Sequence, residues 1–138
     1  MNRGVSEKHG TQLQNGELMR TILVVDDQES IRKLLQRRLR KNGYEIHFAE
    51  NGELGVKKAF ELQPDLILMD MHMPVMDGDA AVHDLRQKGY EGLVVALTAS
   101  AMVADQRVMI DAGCDDFIPK PIERDFENRI ASVLEKAK

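Results

Sequence analysis

From Thr21 onward the chain alternates short, continuous apolar runs with longer stretches whose apolar residues recur at helical spacing. The first run, Thr21 to Asp26, is β-branched and unbroken, the pattern of a strand buried on both faces. A helix is predicted over about Ser30 to Lys41, with Ile31, Leu34, Leu35 and Leu39 on one face and Arg and Lys turned to water. Gly43 stands where a C-terminal glycine ends a helix. A second strand over Tyr44 to Ala49 and a helix from Gly52 to Leu62, stopped before Pro64, follow in the same way. The third pair is a strand from Asp65 to Asp70 and a helix from Gly78 to Lys88. A loop from Met71 to Asp77 joins them and carries Pro74. The fourth strand is expected over Leu93 to Leu97 and its helix near Ala101 to Ala112, ended by Gly113. A short fifth strand, about Asp116 to Ile118, leads to a helix from near Glu123, with Phe126, Ile130, Val133, Leu134 and Ala137 on one stripe.

Strict strand–helix alternation implies a parallel sheet covered by helices on both faces. The fold class expected is therefore α/β, a flavodoxin-like (βα)5 three-layer sandwich. Its strand order, 2-1-3-4-5, is taken over from doubly wound folds of this kind and is not read from the residues. In such sheets ligands bind beyond the carboxyl ends of the strands where the order reverses, here between strands one and three.

Asp26 and Asp27 end the first strand and Asp70 ends the third, so three carboxylates converge on one crevice. They repel one another unless a cation is bound or a pKa rises. Hard oxygen donors in a small site suit Mg²⁺, which keeps several waters and takes one or two protein carboxylates. Taken singly each Asp has an ordinary structural use, since Asp caps turns and helix starts. Their joint placement at adjacent strand ends favours chemistry. The fourth strand ends in Thr98, a hydroxyl able to donate into the crevice, although a lone Thr there is commonly a helix N-cap. The fifth ends in Lys120, a point positive charge suited to a phosphoryl group. Its bond to Pro121 is a candidate cis peptide, because X–Pro bonds reach cis cheaply.

Composition narrows the classes that remain. The chain has 138 residues, one domain's worth, with 43% hydrophobic and 30% charged residues and a net charge of −4. That balance is poor for binding a phosphate backbone, so no nucleic-acid partner is expected. Cys114 is the single cysteine. It cannot form an internal disulfide, has no His or basic neighbour in sequence, and is expected to be an unreactive thiol in a reducing compartment. No apolar run approaches a membrane span and no signal peptide is evident, so a cytoplasmic protein without membrane contact is expected. Residues 1–19 form the expected flexible tail, with Gly4, Gly10 and Gly16 and no periodicity, and Met19 is a plausible start. Residues 20–138 form the expected domain. The methionines around Asp70 (Met69, Met71, Met73 and Met76) are expected to pack the loop, and His47 and His83 to lie at the surface.

These residues resemble the receiver family of response regulators in two-component systems. The likeness lies in Ile22-Leu23-Val24-Val25-Asp26-Asp27, in Leu68 to Gly78 around Met69-Asp70-Met71 and Pro74, in Ala96-Leu97-Thr98-Ala99, and in Gly113 to Pro121. The segments Met69 to Pro74 and Leu97 to Met102 are most similar to receivers of hybrid histidine kinases. The resemblance implies that Asp70 accepts a phosphoryl group from a sensor histidine kinase or a histidine phosphotransfer protein. It implies Mg²⁺ held by Asp27, Asp70 and the backbone carbonyl of His72, with Asp26 acting through metal-bound water, and Lys120 pairing with Asp70. Thr98 and Phe117 would form the switch, remodelling the helix 4 and strand 5 surface, while His72 and Ser100 would tune phosphoryl lifetime. Gly55 stands where the family often has Ala, which would loosen the second helix slightly.

The resemblance implies a signalling phosphoacceptor, not an enzyme: it would catalyse only its own phosphorylation and autodephosphorylation. Output would run by protein contact, to an unknown downstream protein, or by onward phosphotransfer. A monomer or a weak phosphorylation-dependent dimer is expected. Three rival readings compete with this one. A haloacid-dehalogenase-like phosphatase needs Asp-x-Asp after a strand, and Gln28 and His72 stand where the second carboxylate should be. A flavodoxin-like FMN carrier needs a Ser/Thr/Gly phosphate loop, and Asp26, Asp27 and Glu29 would repel one. A phosphorylation-independent scaffold is disfavoured by the complete set Asp27, Asp70, Thr98 and Lys120.

Overall fold

The computed structural model describes residues 13–14, 17–99 and 102–136. Five strands, β1 (Thr21–Val25), β2 (Glu45–Ala49), β3 (Leu66–Asp70), β4 (Leu93–Thr98) and β5 (Asp116–Pro119), alternate with α1 (Glu29–Arg40), α2 (Gly52–Leu62), α3 (Gly78–Gln87), α4 (Val103–Ala112) and α5 (Phe126–Lys136). The sheet is wholly parallel with order β2-β1-β3-β4-β5, the order taken over from doubly wound folds.

The sheet is buried on both faces, which explains why its strands are continuous apolar runs. Alternate residues feed two cores. Leu23, Val25, Ile67, Met69, Val94 and Ala96 meet the side of α2, α3 and α4, with Ala59, Leu85 and Met109. Ile22, Val24, Leu66, Leu68, Val95 and Leu97 meet α1 and α5 through Leu35, Leu39, Phe126, Ile130 and Leu134.

Several boundaries differ from the sequence reading for local reasons. α5 starts at Phe126, not near Glu123: the Phe126 amide donates to the Glu123 carbonyl at 3.3 Å and closes a turn over residues 124–125, and Arg38 Nη2 donates to the same carbonyl at 2.7 Å. The basic residues of α1 do not all face water. Arg38 forks onto Glu127 at 2.7 and 2.6 Å, its guanidinium lying 5.5 Å from the Phe126 ring centroid, and Arg32 reaches the Asp26 carbonyl at 2.8 Å. Within the expected tail, Leu13–Gln14 pairs antiparallel with Glu17–Leu18, a ladder too short to give periodicity in sequence. Ala137 lies outside the described residues.

Gly55 has a packing reason. A Cβ built there would lie 2.8 and 2.9 Å from the two γ-methyls of fully buried Val25. The glycine lets α2 seat directly on β1, so the cost in helix propensity is offset by close approach.

Candidate functional site

Strand register brings the crevice together. Val25 pairs with Met69, so Asp26, one residue on, stands level with Asp70. Asp70 pairs with Leu97 and Thr98 with Pro119, so Thr98 and Lys120 fall at the same rim. The Lys120 amide donates to the Thr98 carbonyl at 2.7 Å, fixing the end of β5 against β4. The Lys120–Pro121 bond is cis, as the sequence suggested.

Asp26 (0% exposed) and Asp70 (6%) are buried, and Asp27 is exposed. One carboxylate oxygen from each lies within 4.8 Å of the others. Lys120 Nζ donates to Asp70 Oδ1 at 2.9 Å and to Asp26 Oδ2 at 3.2 Å, while Asp26 Oδ1 accepts from the Gln28 amide at 2.9 Å. One ammonium thus faces three carboxylates, leaving an excess of negative charge. Burial pushes the Asp70 carboxyl above the ordinary carboxylate range, the Lys120 hydrogen bond pulls it down, and the charges of Asp26 and Asp27 add to the rise. Burial pulls the Lys120 ammonium down, but the hydrogen bond to Asp70 and the charges of Asp26 and Asp70 outweigh it, and its pKa is raised.

The donor set fits Mg²⁺. It offers carboxylate oxygens only, with two buried groups and one open to solvent where bound water could remain. The exposed ring of His72 is not among the donor groups that converge there. Thr98 is 2% exposed, and half-buried Phe117 packs against the α2–α4 side of the core. Arg129 Nη2 holds the Phe117 carbonyl at 3.0 Å. Ser100, expected to tune lifetime, lies outside the described residues.

The loop after Asp70 contains features that sequence reasoning missed. The Met76 amide donates to the Pro74 carbonyl at 2.7 Å, closing a three-residue turn centred on Val75 with φ +71°. That turn is the rare, strained form, and a β-branched residue is poorly suited to it. Asp77 Oδ1 accepts from the Met73 amide at 3.1 Å, and the Gly78 amide donates to the Met71 carbonyl at 3.0 Å. A Cβ on Gly78 would collide with the Asp70 carbonyl, so only glycine lets α3 begin this close to β3. A non-glycine residue after Pro74 was the one available signal for the strain. Arg86 was also missed. It donates to the carbonyls of Tyr90, Gly92 and Gly113 at 2.8 to 3.0 Å and pairs with Asp115 at 3.1 Å, tying α3 to the loops before β4 and β5. Cys114 is buried as expected, and burial pushes its thiol up to about 12.

A parallel sheet with an acidic crevice and a lysine at its carboxyl edge defines a class, and similarity to known proteins identifies it. The family model of the response regulator receiver domain matches residues 22–131. This chain belongs to that family. It is 38% identical over 117 residues to the alkaline phosphatase synthesis transcriptional regulatory protein PhoP of Bacillus subtilis, covering 84% of this chain and 49% of that protein. The chain therefore spans about half the length of the curated relatives it matches. Among solved structures it resembles the receiver domain of sensor histidine kinase PA1611 of Pseudomonas aeruginosa, which has a magnesium ion coordinated in the active site cleft. Identity is 30% and the TM-score 0.75, covering 86% of this chain and 96% of that one. It also resembles the response regulator TrrA of Thermotoga maritima in complex with Mg²⁺-BeF, with 34% identity and a TM-score of 0.74, covering 84% and 99%. No helix among the described residues is long and apolar enough to cross a membrane.

Proposed function

We propose that this receiver domain of two-component signalling is phosphorylated on Asp70 by a histidine kinase or a histidine phosphotransfer protein, with Mg²⁺ as cofactor. The observation that carries the reading is the hydrogen bond from Lys120 Nζ to buried Asp70 Oδ1 beside Asp26 and Asp27. Asp27, Asp70 and the His72 carbonyl would hold the ion, with Asp26 acting through its water. When bound, Mg²⁺ supplies positive charge that offsets the carboxylates and the incoming phosphoryl oxygens.

The chain's own residues do the rest. Lys120, already paired with Asp70, neutralises charge on the transferring group and keeps the acceptor oxygen oriented. The glycine at 78 and the Asp77 hydrogen bond hold the loop so that Asp70 stays at the rim of the sheet. Asp70 attacks the phosphorus, the P–N bond of the phosphohistidine breaks, and the phosphoryl group becomes an aspartyl phosphate. Thr98 then donates to a phosphoryl oxygen and Phe117 turns inward, shifting the population of the α4 and β5 surface. Phe has no hydroxyl, so the buried rotamer strands no polar group. The domain acts as a phosphoacceptor and switch, without an external substrate, and output passes by protein contact or onward transfer. This assigns no role to nucleic acid within residues 20–138.

The test is incubation of the full chain with acetyl phosphate and Mg²⁺, followed by intact mass. Wild type gains one phosphoryl group and Asp70→Asn gains none. A wild type that stays unmodified and also fails to bind beryllofluoride overturns the reading.

A further inference from the structure

We propose that Arg32 is a positioning residue of the acidic crevice: its bond to the Asp26 carbonyl fixes the β1–α1 turn so that the Asp27 carboxylate stays beside Asp70 for a divalent cation. The inference rests on the metal reading above and goes beyond it by assigning a residue that touches no ion. Arg32 Nη1 donates to the Asp26 carbonyl at 2.8 Å, and the Arg32 amide donates to the Gln28 carbonyl at 3.1 Å. Arg32 thus holds the residues on both sides of Asp27. Asp26 Oδ1 closes the same span by accepting from the Gln28 amide at 2.9 Å.

The turn lacks the usual anchor. Gln28 is the N-cap of α1 and makes no side-chain capping bond. A side-chain cap ordinarily satisfies one of the first amides of a helix, and contacts across the cap fix how the chain enters it. Here a guanidinium from one turn into the helix reaches back across the helix start. Asp26 is held from several sides. It is fully buried, its amide donates to the Ala49 carbonyl at 3.1 Å, and its Oδ2 accepts from Lys120 Nζ at 3.2 Å. Asp27 is exposed, so the backbone on either side decides where its carboxylate stands.

Two simpler roles for Arg32 differ from this one in what they predict. A buried carbonyl needs a donor, so a purely structural Arg32 would affect stability alone. A cation beside the crevice repels an incoming metal ion, so a purely electrostatic Arg32 would weaken metal binding and its removal would tighten it. Positioning has the opposite sign: without Arg32 the turn loosens, Asp27 drifts from Asp70, and binding weakens. The bonding pattern favours positioning. The guanidinium takes the backbone carbonyl of Asp26, while the Asp26 carboxylate belongs to Lys120 and the Gln28 amide. Charge is met by Lys120, and geometry by Arg32.

The test is a Mg²⁺ titration of the ¹⁵N-labelled full chain, followed by amide shifts, for wild type, Arg32→Gln, Arg32→Lys and Arg38→Gln. Arg32→Gln, whose shorter side chain withdraws the donor, should bind Mg²⁺ about tenfold more weakly, the scale of residues that orient metal ligands. Arg32→Lys keeps a donor of similar reach and should recover most of that loss. Arg38→Gln removes an inward arginine of the same helix far from the crevice, so it should lower the urea midpoint yet keep Mg²⁺ affinity within about twofold of wild type. Without metal, hydrogen exchange of the Gln28 amide should speed up in Arg32→Gln and not in Arg38→Gln. Arg32→Gln binding Mg²⁺ as tightly as wild type, or more tightly, overturns the proposal. A weakening that Arg38→Gln shares, or that Arg32→Lys does not relieve, overturns it too. A wild type that binds no Mg²⁺ overturns both this inference and the metal reading, whereas a binding wild type with an unaffected Arg32→Gln overturns this inference alone.

Discussion

Replacing Val75 by glycine should stabilise this protein. Val75 has φ +71° at the centre of the turn closed by the Pro74 carbonyl and the Met76 amide. An L-residue in the left-handed region costs about 1–2 kcal/mol, and β-branching places Val at the upper end. Glycine removes that cost but loses about 0.5–1 kcal/mol through the greater freedom of its unfolded chain. Val75 is 74% exposed, so little packing is lost with its side chain. The net expectation is a gain of about 0.5–1.5 kcal/mol, with Val75→Asn gaining a similar or smaller amount because Asn tolerates this conformation. Val75→Ala keeps most of the penalty and should change stability little. The assay is urea unfolding followed by far-UV circular dichroism, where a higher midpoint at unchanged m reports stability alone. A Val75→Gly protein no more stable than Val75→Ala refutes the strain argument, since both remove the same exposed side chain.

Gly55→Ala should destabilise by about 1–2 kcal/mol despite a better helix former, because overpacking against Val25 exceeds the propensity gain; adding Val25→Ala should recover part of the loss in a double-mutant cycle. Arg86→Ala should cost about 2–4 kcal/mol in urea melts by stranding three carbonyls and Asp115, and Arg86→Lys should not rescue it, because an ammonium cannot span that fork. Asp70 has a folded pKa raised above its unfolded value, so its ionisation weakens the fold as pH rises through and above the ordinary carboxylate range. In EDTA, Asp70→Asn should therefore be at least as stable as wild type at pH 7, with the advantage fading as pH falls through the ordinary carboxylate pKa. A variant markedly less stable at pH 7 would show that the Lys120 pair outweighs burial and repulsion. Adding Mg²⁺ should raise the melting temperature of wild type and not of Asp27→Asn with Asp70→Asn, by mass action on a site present only in the folded state.

The apolar runs of β1, β3 and β4 were legible because a strand buried on both faces has no polar positions to interrupt it. The face of α5 was legible because Phe126, Ile130, Val133 and Leu134 repeat at helical spacing. The residue types of the crevice were legible too, since each of Asp26, Asp70, Thr98 and Lys120 falls at or just beyond the end of an apolar run. Periodicity carries no information about strand neighbours, so their convergence needed a borrowed strand order. Tertiary structure supplied it through register: Val25 beside Met69, Asp70 beside Leu97 and Thr98 beside Pro119 carry four separated residues to one rim. It also decided what local pattern cannot encode. Whether Arg38 turns inward depends on Glu127, 89 residues away, and why position 55 must be glycine depends on the methyls of Val25. The physical reason is common to both. Hydrophobic periodicity is a property of neighbours along the chain, whereas charge pairing, close approach and strain are set by atoms brought together only when the sheet forms.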